Sequence, residues 1–260
     1  MSIEIQYQPQ SLTYKAFADL NDRCFKNEPV SEYDFQAMQN DGFWCLFSDG
    51  ALAGYCHLHI KGHSAHIRRI AVHPDYRSQG LGSRLMGIML DHSVANQANS
   101  ITLWVQQDNP RAIGLYTKYG FSIVDESAQF EAEIRCEPPG QTRAIPISEY
   151  DEGACGSLPP DAAKWHDAHN PPHAHVLLFV REEAVVGFTR FGPAFPGCLP
   201  FEVFYEDEPI GALLPLLADY ALPDKMRIRI TTGNPIALAY FQANDYQENY
   251  RLYIMARELL

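Results

Sequence analysis

The sequence predicts an α+β protein whose strands and helices recur in two tandem halves. Three observations predict it. Alternating strand-like segments are interleaved with segments of helical spacing through residues 1–135. A proline- and glycine-rich stretch, 137–172, then interrupts the pattern. Beyond it, two segments of the first half reappear.

Each element has a local reason. Residues 11–27 carry Leu12, Ala16, Leu20 and Cys24 at near-helical spacing, and a second short helix is expected over 33–40. FWCLFSDGALAGYCHLHI alternates about Asp49-Gly50, a dipeptide suited to a tight hairpin turn. Residues 66–72 read as a strand. Leu81, Leu85, Ile88 and Met89 share one helix face. ITLWVQQ is a strand, and Asn109-Pro110 is a start signal for a helix over 111–119. The boundary is expected near 138–145, giving domains 1–138 and 139–260.

The repeat rests on two pairs of segments. HVLLFVREEAVVGFTRF resembles FWCLFSDGALAGYCHLH, with Gly187 matching Gly54. NPIALAYFQANDY matches NPRAIGLYTKYGF without gaps, so Asn234 faces Asn109 and Phe241 faces Tyr116. Between these pairs the second half is eight residues shorter, and the shortfall falls where the first half has RSQGLGSR, residues 77–84.

Bulk properties narrow the function. The chain has 260 residues, a net charge of −12 and 46% hydrophobic residues. That balance argues against nonspecific binding to nucleic acid or anionic membranes, which needs a cationic surface. The N-terminus has no leader pattern and no apolar run approaches a membrane span, so a cytoplasmic protein is expected. The six cysteines form no C-x-x-C pair and read as reduced thiols. Two histidine groups, HLHIKGH and HDAHNPPHAH, lack metal-site spacing on ordered elements, so no metal is expected.

RSQGLGSR lies between a strand and a helix. Glycines there let a ligand reach main-chain N–H groups, and a helix N-terminus adds unpaired donors and partial positive charge. The stretch therefore reads as a seat for a diphosphate. The dinucleotide fingerprint fails at Leu85, and no Gly-Lys-Ser/Thr follows as a phosphate loop would require. What remains is R-x-x-G-x-G, followed at a suitable distance by N-x-x-A-x-x-x-Y-x-x-x-G-F.

These two signatures resemble those of the GCN5-related N-acetyltransferases (GNAT), strongly over 1–135 and weakly over 175–260. The resemblance implies two tandem GNAT-like domains, each a central mixed, mostly antiparallel sheet flanked by helices, the first catalytic and the second degenerate. It implies acetyl-CoA as co-substrate, lying in a gap between two splayed parallel strands. By position, Val72 would bond the cofactor arm through its main chain. Arg77, Gln79, Gly80, Leu81, Gly82 and Ser83 would hold the diphosphate, and Asn109 the pantetheine amide. Arg111 is either near the cofactor or a solvated helix charge. Tyr116 takes the family's acid position. His66 is the candidate base, with Glu28, Glu32 and Tyr33 in reserve.

The implied reaction is acetyl transfer to a primary amine by direct attack. Alternatives are N-terminal acetylation of a peptide, as in ribosomal-protein alanine acetyltransferases, and a noncatalytic acyl-CoA sensor. The acceptor is a small-molecule or peptide amine, and a homodimer is left open. In the second half YEDEPIGALLPLL stands where the diphosphate seat would be, so the cofactor is expected in the first half only.

Overall fold

In the computed structural model, residues 2–25, 28–134, 141–155, 157–193 and 197–259 are described. The chain forms two compact units. One comprises Met1–Val124 with Tyr253–Leu260, the other Asp125–Leu252. The division at Val124 lies earlier than the expected 138, because the proline-rich stretch is not where the chain changes unit. Residues 135–140 of that stretch fall outside the described set.

The front unit contains β1 (Ile3–Tyr7), α1 (Tyr14–Cys24), α2 (Glu32–Gln39), β2 (Gly42–Ser48), β3 (Ala51–Lys61), β4 (Ser64–Val72), α3 (Leu81–Ala95), β5 (Ser100–Gln106) and α4 (Pro110–Lys118). Helix α1 is shorter than the expected 11–27. Thr13 accepts from the Ala16 N–H as N-cap, which fixes its start, and it ends at Phe25 in extended conformation. The hairpin turns at Asp49 and Gly50, both at positive φ, as its dipeptide requires. Strands β1 to β4 pair antiparallel in order, and β4 pairs parallel with β5. Strand β1 was not anticipated.

The next strand, β6 (Ser122–Glu133), leaves the front unit at Val124. The rear unit adds β7 (Thr142–Pro146), the four-residue helices α5 (Glu152–Cys155) and α6 (Pro160–Ala163), β8 (His175–Arg181), β9 (Ala184–Gly192), β10 (Gly197–Val203), α7 (Ile210–Leu213), β11 (Arg227–Thr232), α8 (Pro235–Ala243) and β12 (Gln247–Glu258) up to Leu252. Its pairing repeats that of the front unit: β7 to β10 antiparallel in order, β10 parallel to β11.

The sixth strand of each unit comes from the other half of the sequence. Beside β11 lies β6, antiparallel, with Ile228 opposite Ala132. The corresponding neighbour of β5 is the end of β12, whose Tyr253–Leu260 segment belongs to the front unit.

Each sheet is packed on both faces. In the front unit Leu46, Leu58, Ile67, Leu85, Met89 and Leu103 form one core beneath α3 and α4. Phe17, Phe35, Phe43 and Tyr55 form another beneath α1 and α2. The repeat is also visible in close backbone approaches. A Cβ on Gly54 would lie 2.7 Å from the Ala71 carbonyl oxygen, and one on Gly187 2.3 Å from that of Glu202. Gly54 pairs with Val72 and Gly187 with Val203, so each glycine lets the strand edge draw close at the same place.

Candidate active site

The two parallel strands of the front unit separate. Pairing runs from Ser64 opposite Ser100 to Ile67 opposite Leu103. Past that point β4 continues to Val72 and β5 to Gln106 without pairing to each other, which leaves a fork open at their C-terminal ends.

At the open end lies the start of α3. Gly80 is its N-cap, with φ +75°. A Cβ there would meet nothing within 4 Å, so the left-handed backbone alone calls for glycine. The helix's first internal bond runs from the Arg84 N–H to the Gly80 carbonyl, and no side chain caps the turn. The amides of Leu81, Gly82 and Ser83 are therefore left without an acceptor inside the helix. Such donors suit an anion, and no acidic residue occupies the first turn to compete. Arg111 Nη2 donates to Ser78 Oγ at 3.3 Å, which places its guanidinium on this loop. The Tyr119 hydroxyl donates to the Ser83 carbonyl at 2.9 Å and anchors the turn to α4. Tyr119 was not singled out in the sequence; its position three residues after Tyr116 was the available signal.

Arg77 is turned elsewhere. Its Nε donates to the Val72 carbonyl at 3.0 Å, and Nη2 lies 3.9 Å from Cys24 Sγ. It clamps the end of β4 to the end of α1. Gln79 Nε2 reaches the Asp75 carbonyl at 3.5 Å. Asn109 caps α4 through Oδ1, which accepts from the Ala112 N–H at 3.1 Å. Its amide Nδ2 donates to nothing among the described residues.

Tyr116 lies under α4 with 6% exposure, its ring 6.1 Å from that of Phe121. Its hydroxyl makes no hydrogen bond among the described residues. Burial pushes the phenol above its ordinary range, so it holds its proton throughout the neutral range.

His66 is on the opposite face of the sheet from that core. Its Nδ1 lies 2.8 Å from Thr102 Oγ1, and its ring meets Trp104 edge to face at 5.5 Å. The Thr102 hydroxyl donates to the Ala65 carbonyl at 3.4 Å. That makes His66 Nδ1–H the donor to Thr102 and leaves the Nε2 lone pair available. Burial, reinforced by Arg68, His59 and His57, pushes the ring down to about 4. His66 is thus neutral at pH 7.

The lowered pKa predicts a pH effect on stability. An unfolded histidine titrates near 6.5, so the folded chain binds fewer protons between pH 6.5 and 4. His66 then contributes stability above pH 6.5 that is lost as pH falls toward 4, roughly 2–3 kcal/mol by pH 4.5. Urea unfolding of wild type and His66→Gln at pH 7.5 and 4.5 measures this. Wild type should lose that much more than the variant; equal losses would exclude it.

Of the reserve bases, Glu28 lies 3.8 Å from Arg69, while Glu32 is on the first turn of α2. The carboxylate that meets the histidines of this face is the half-buried Asp41, which the sequence reading missed. Its Oδ2 lies 3.2 Å from His57 Nε2 and 2.8 Å from His59 Nδ1. Those hydrogen bonds outweigh burial and hold Asp41 well below the usual carboxylate range. Counting back from the Asp49-Gly50 turn places residue 41 opposite 58–59, which was the signal for it. Among the described residues no group of three or more histidine, cysteine, aspartate or glutamate side chains is arranged to hold a metal ion. No described helix is long and apolar enough to cross a membrane.

The rear unit has the same fork, but its own side chains close it. Strands β10 and β11 pair only at Gly197–Arg229 and Cys198–Ile230. Beyond, the Thr232 hydroxyl donates to the Phe201 carbonyl at 2.7 Å. Asn234, the counterpart of Asn109, donates Nδ2 to the Val203 carbonyl at 2.9 Å. A Cβ on Gly211 would lie 2.5 Å from the Tyr240 hydroxyl, so that phenol fills the space over the four-residue α7. Glu208 is buried, with Oε2 3.0 Å from Arg181 Nη1 and Oε1 accepting from Thr142. Its carboxylate holds the rear unit together and does not face an open seat. Phe241 is fully buried against Phe130 and Phe201. A cleft of about 730 Å³ in the rear unit is lined by Glu131, Arg227 and Asp245 and reaches Gly211 and Tyr240.

This arrangement of fork, glycine cap and capless helix defines a class, and comparison with known proteins gives it a family. Residues 14–121 match the family model of the Acetyltransferase (GNAT) family. Over that stretch, less than half of the chain, the protein is similar to this family. A tandem GNAT protein from the clavulanic acid biosynthesis pathway superposes with a TM-score of 0.65 at 14% identity, covering 100% of this chain and 99% of that one. The chain thus carries the GNAT fold twice.

Among curated relatives, a mycothiol acetyltransferase of Clavibacter michiganensis is 36% identical over 83 residues, 32% of this chain and 27% of that protein. A Bacillus subtilis protein, provisionally named a ribosomal protein bS18-alanine N-acetyltransferase, is 40% identical over 72 residues, 28% of this chain and 48% of that protein. The matched stretch spans less than half the length of either relative.

Proposed function

We propose that the protein is an acetyl-CoA-dependent N-acetyltransferase that acts on a primary amine by direct attack, with the co-substrate held by the front unit alone. One observation carries this reading. Among the described residues, the front fork ends at three helix amides without an acceptor and an Asn109 Nδ2 that donates to nothing, whereas the rear fork is bridged by Thr232 and Asn234.

In this reading the amides of Leu81, Gly82 and Ser83, shaped by Gly80, take the diphosphate. Arg111 adds charge from α4. Gln79 contributes through its main chain, and Arg77 acts by fixing Val72, whose main chain lines the fork. Asn109 Nδ2 meets the pantetheine arm. Acetyl-CoA supplies an activated acetyl group.

The rest falls to side chains. His66 Nε2 accepts the proton that the attacking amine loses as the C–N bond forms. Tyr116 gives its proton to the sulfur as the C–S bond breaks. The products are an N-acetylated amine and free coenzyme A. An ammonium group near pKa 10 must first reach its neutral form, which favours turnover on the alkaline side of neutrality.

A second reading keeps the site and changes the acceptor to a peptide N-terminus. The Bacillus subtilis match favours it. Free-thiol release from acetyl-CoA with a panel of small amines and peptides tests both. Release dependent on an added amine is expected. Binding of acetyl-CoA without release by any acceptor would contradict catalysis.

A further inference from the structure

The fork has a second side, and its chemistry indicates what kind of amine it receives. Arg68 and Trp104 are the first residues past the last β4–β5 pair, Ile67 opposite Leu103. Both therefore stand where the strands part. Trp104 meets the His66 ring, so it lies on the face away from the α3–α4 core.

Arg68 reaches the same face through an irregularity in the sheet. His57 pairs with Arg69 and Leu58 with Ile67, so Arg68 is the extra residue of a bulge. Bulges re-aim a side chain, and this one adds Arg68 to the His57 side. The Arg68 charge also helps to lower both His57 and His66, in keeping with that side of the sheet.

The two adjacent arginines differ in their partners. Arg69 is engaged: Nη1 donates to the buried Asn21 Oδ1 at 3.2 Å, Glu28 lies at 3.8 Å, and its guanidinium covers the Phe25 ring at 4.9 Å. Arg68 is exposed and has no hydrogen bond or ion pair among the described residues. Two carboxylates near this face are already committed, Asp41 to two histidines and Glu28 to Arg69. What remains at the mouth of the fork is one uncompensated cation, one aromatic ring and one neutral imidazole.

We propose that Arg68 docks a carboxylate carried by the acceptor, so that the acceptor is an amino acid or similar small carboxylated amine and not a plain amine. This rests on the N-acetyltransferase reading. A guanidinium binds a carboxylate bidentately and so fixes orientation as well as position. Trp104 offers an apolar surface for a side chain, and His66 faces the amine. A plain ammonium compound would instead meet Arg68 with like charge.

The test uses the full chain and acetyl-CoA, with thiol release as readout. Each of the twenty common amino acids is offered in three forms: free, as the α-amide, and decarboxylated to the amine. Short peptides complete the panel. Wild type, Arg68→Gln and Arg68→Lys are compared. At least one free amino acid should have a KM about 10-fold or more below its amide and amine, the effect of one charge-assisted pair. Arg68→Gln should remove that advantage with kcat changed less than about threefold, and Arg68→Lys should restore part of it. Equal or better turnover of amides, amines or peptides would overturn the proposal while leaving acetyl transfer intact. Retention of the carboxylate preference in Arg68→Gln would also overturn it. Absence of thiol release with every acceptor would remove both this proposal and the catalytic reading.

Discussion

Replacing Tyr116 with phenylalanine should reduce turnover by about 100-fold or more while acetyl-CoA affinity stays within about twofold. The hydroxyl is the only atom removed. It makes no hydrogen bond among the described residues, so folding should not depend on it, and the rear unit already buries Phe241 at the matching place without disruption. What the substitution removes is a proton. A phenol is protonated at neutral pH even at its ordinary pKa near 10; burial raises it further and makes it a weaker acid, so it delivers its proton only as negative charge grows on the departing sulfur. Stopped thiol-release kinetics and calorimetry on the same preparation separate the two quantities. A variant with full turnover would show that the leaving group finds its proton elsewhere. A noncatalytic sensor would show no turnover in wild type for the substitution to reduce.

Gly82→Asp should abolish acetyl-CoA binding, by about 100-fold or more in Kd, without lowering thermal stability. Gly82 is the second residue of α3, where a carboxylate interacts favourably with the helix N-terminus. A Cβ there would contact Leu115 Cδ2 at 3.4 Å, a distance that a flexible side chain can relax. Removing a glycine from a helix is itself favourable, by roughly 0.5–1 kcal/mol. The new carboxylate would, however, occupy the amides meant for the diphosphate and repel its charge. Melting temperature and calorimetry together decide the matter. Unchanged binding would remove the first turn of α3 from the site.

Much of this was legible in the sequence because it is local. Gly80 must be a glycine for a backbone reason, and the strand–turn–helix around it is set by adjacent residues. Asn109-Pro110 and Asn234-Pro235 start matching helices through the same side-chain cap, at 3.1 and 3.0 Å. The repeat was visible there for that reason, and in Gly54 and Gly187, whose missing side chains permit the same strand approach.

The features that were not legible depend on chain segments meeting from a distance. Asp41 finds His57 and His59 only through the β2–β3 register. Arg77 carries the charge expected of a phosphate ligand, yet the end of β4 offers it a carbonyl acceptor nearer than the helix turn. Glu208, in the segment that stands where the diphosphate seat would be, is made part of a structural pair by burial against Arg181. The exchange of the sixth strand between sequence halves has no local signature.

A crystal structure of the protein grown with acetyl-CoA tests the central claim most directly. One molecule should lie in the β4–β5 fork, its diphosphate on the main-chain amides of Leu81, Gly82 and Ser83, with the rear fork still bridged by Thr232 and Asn234. A diphosphate bound in the rear unit, or away from the first turn of α3, would contradict the account.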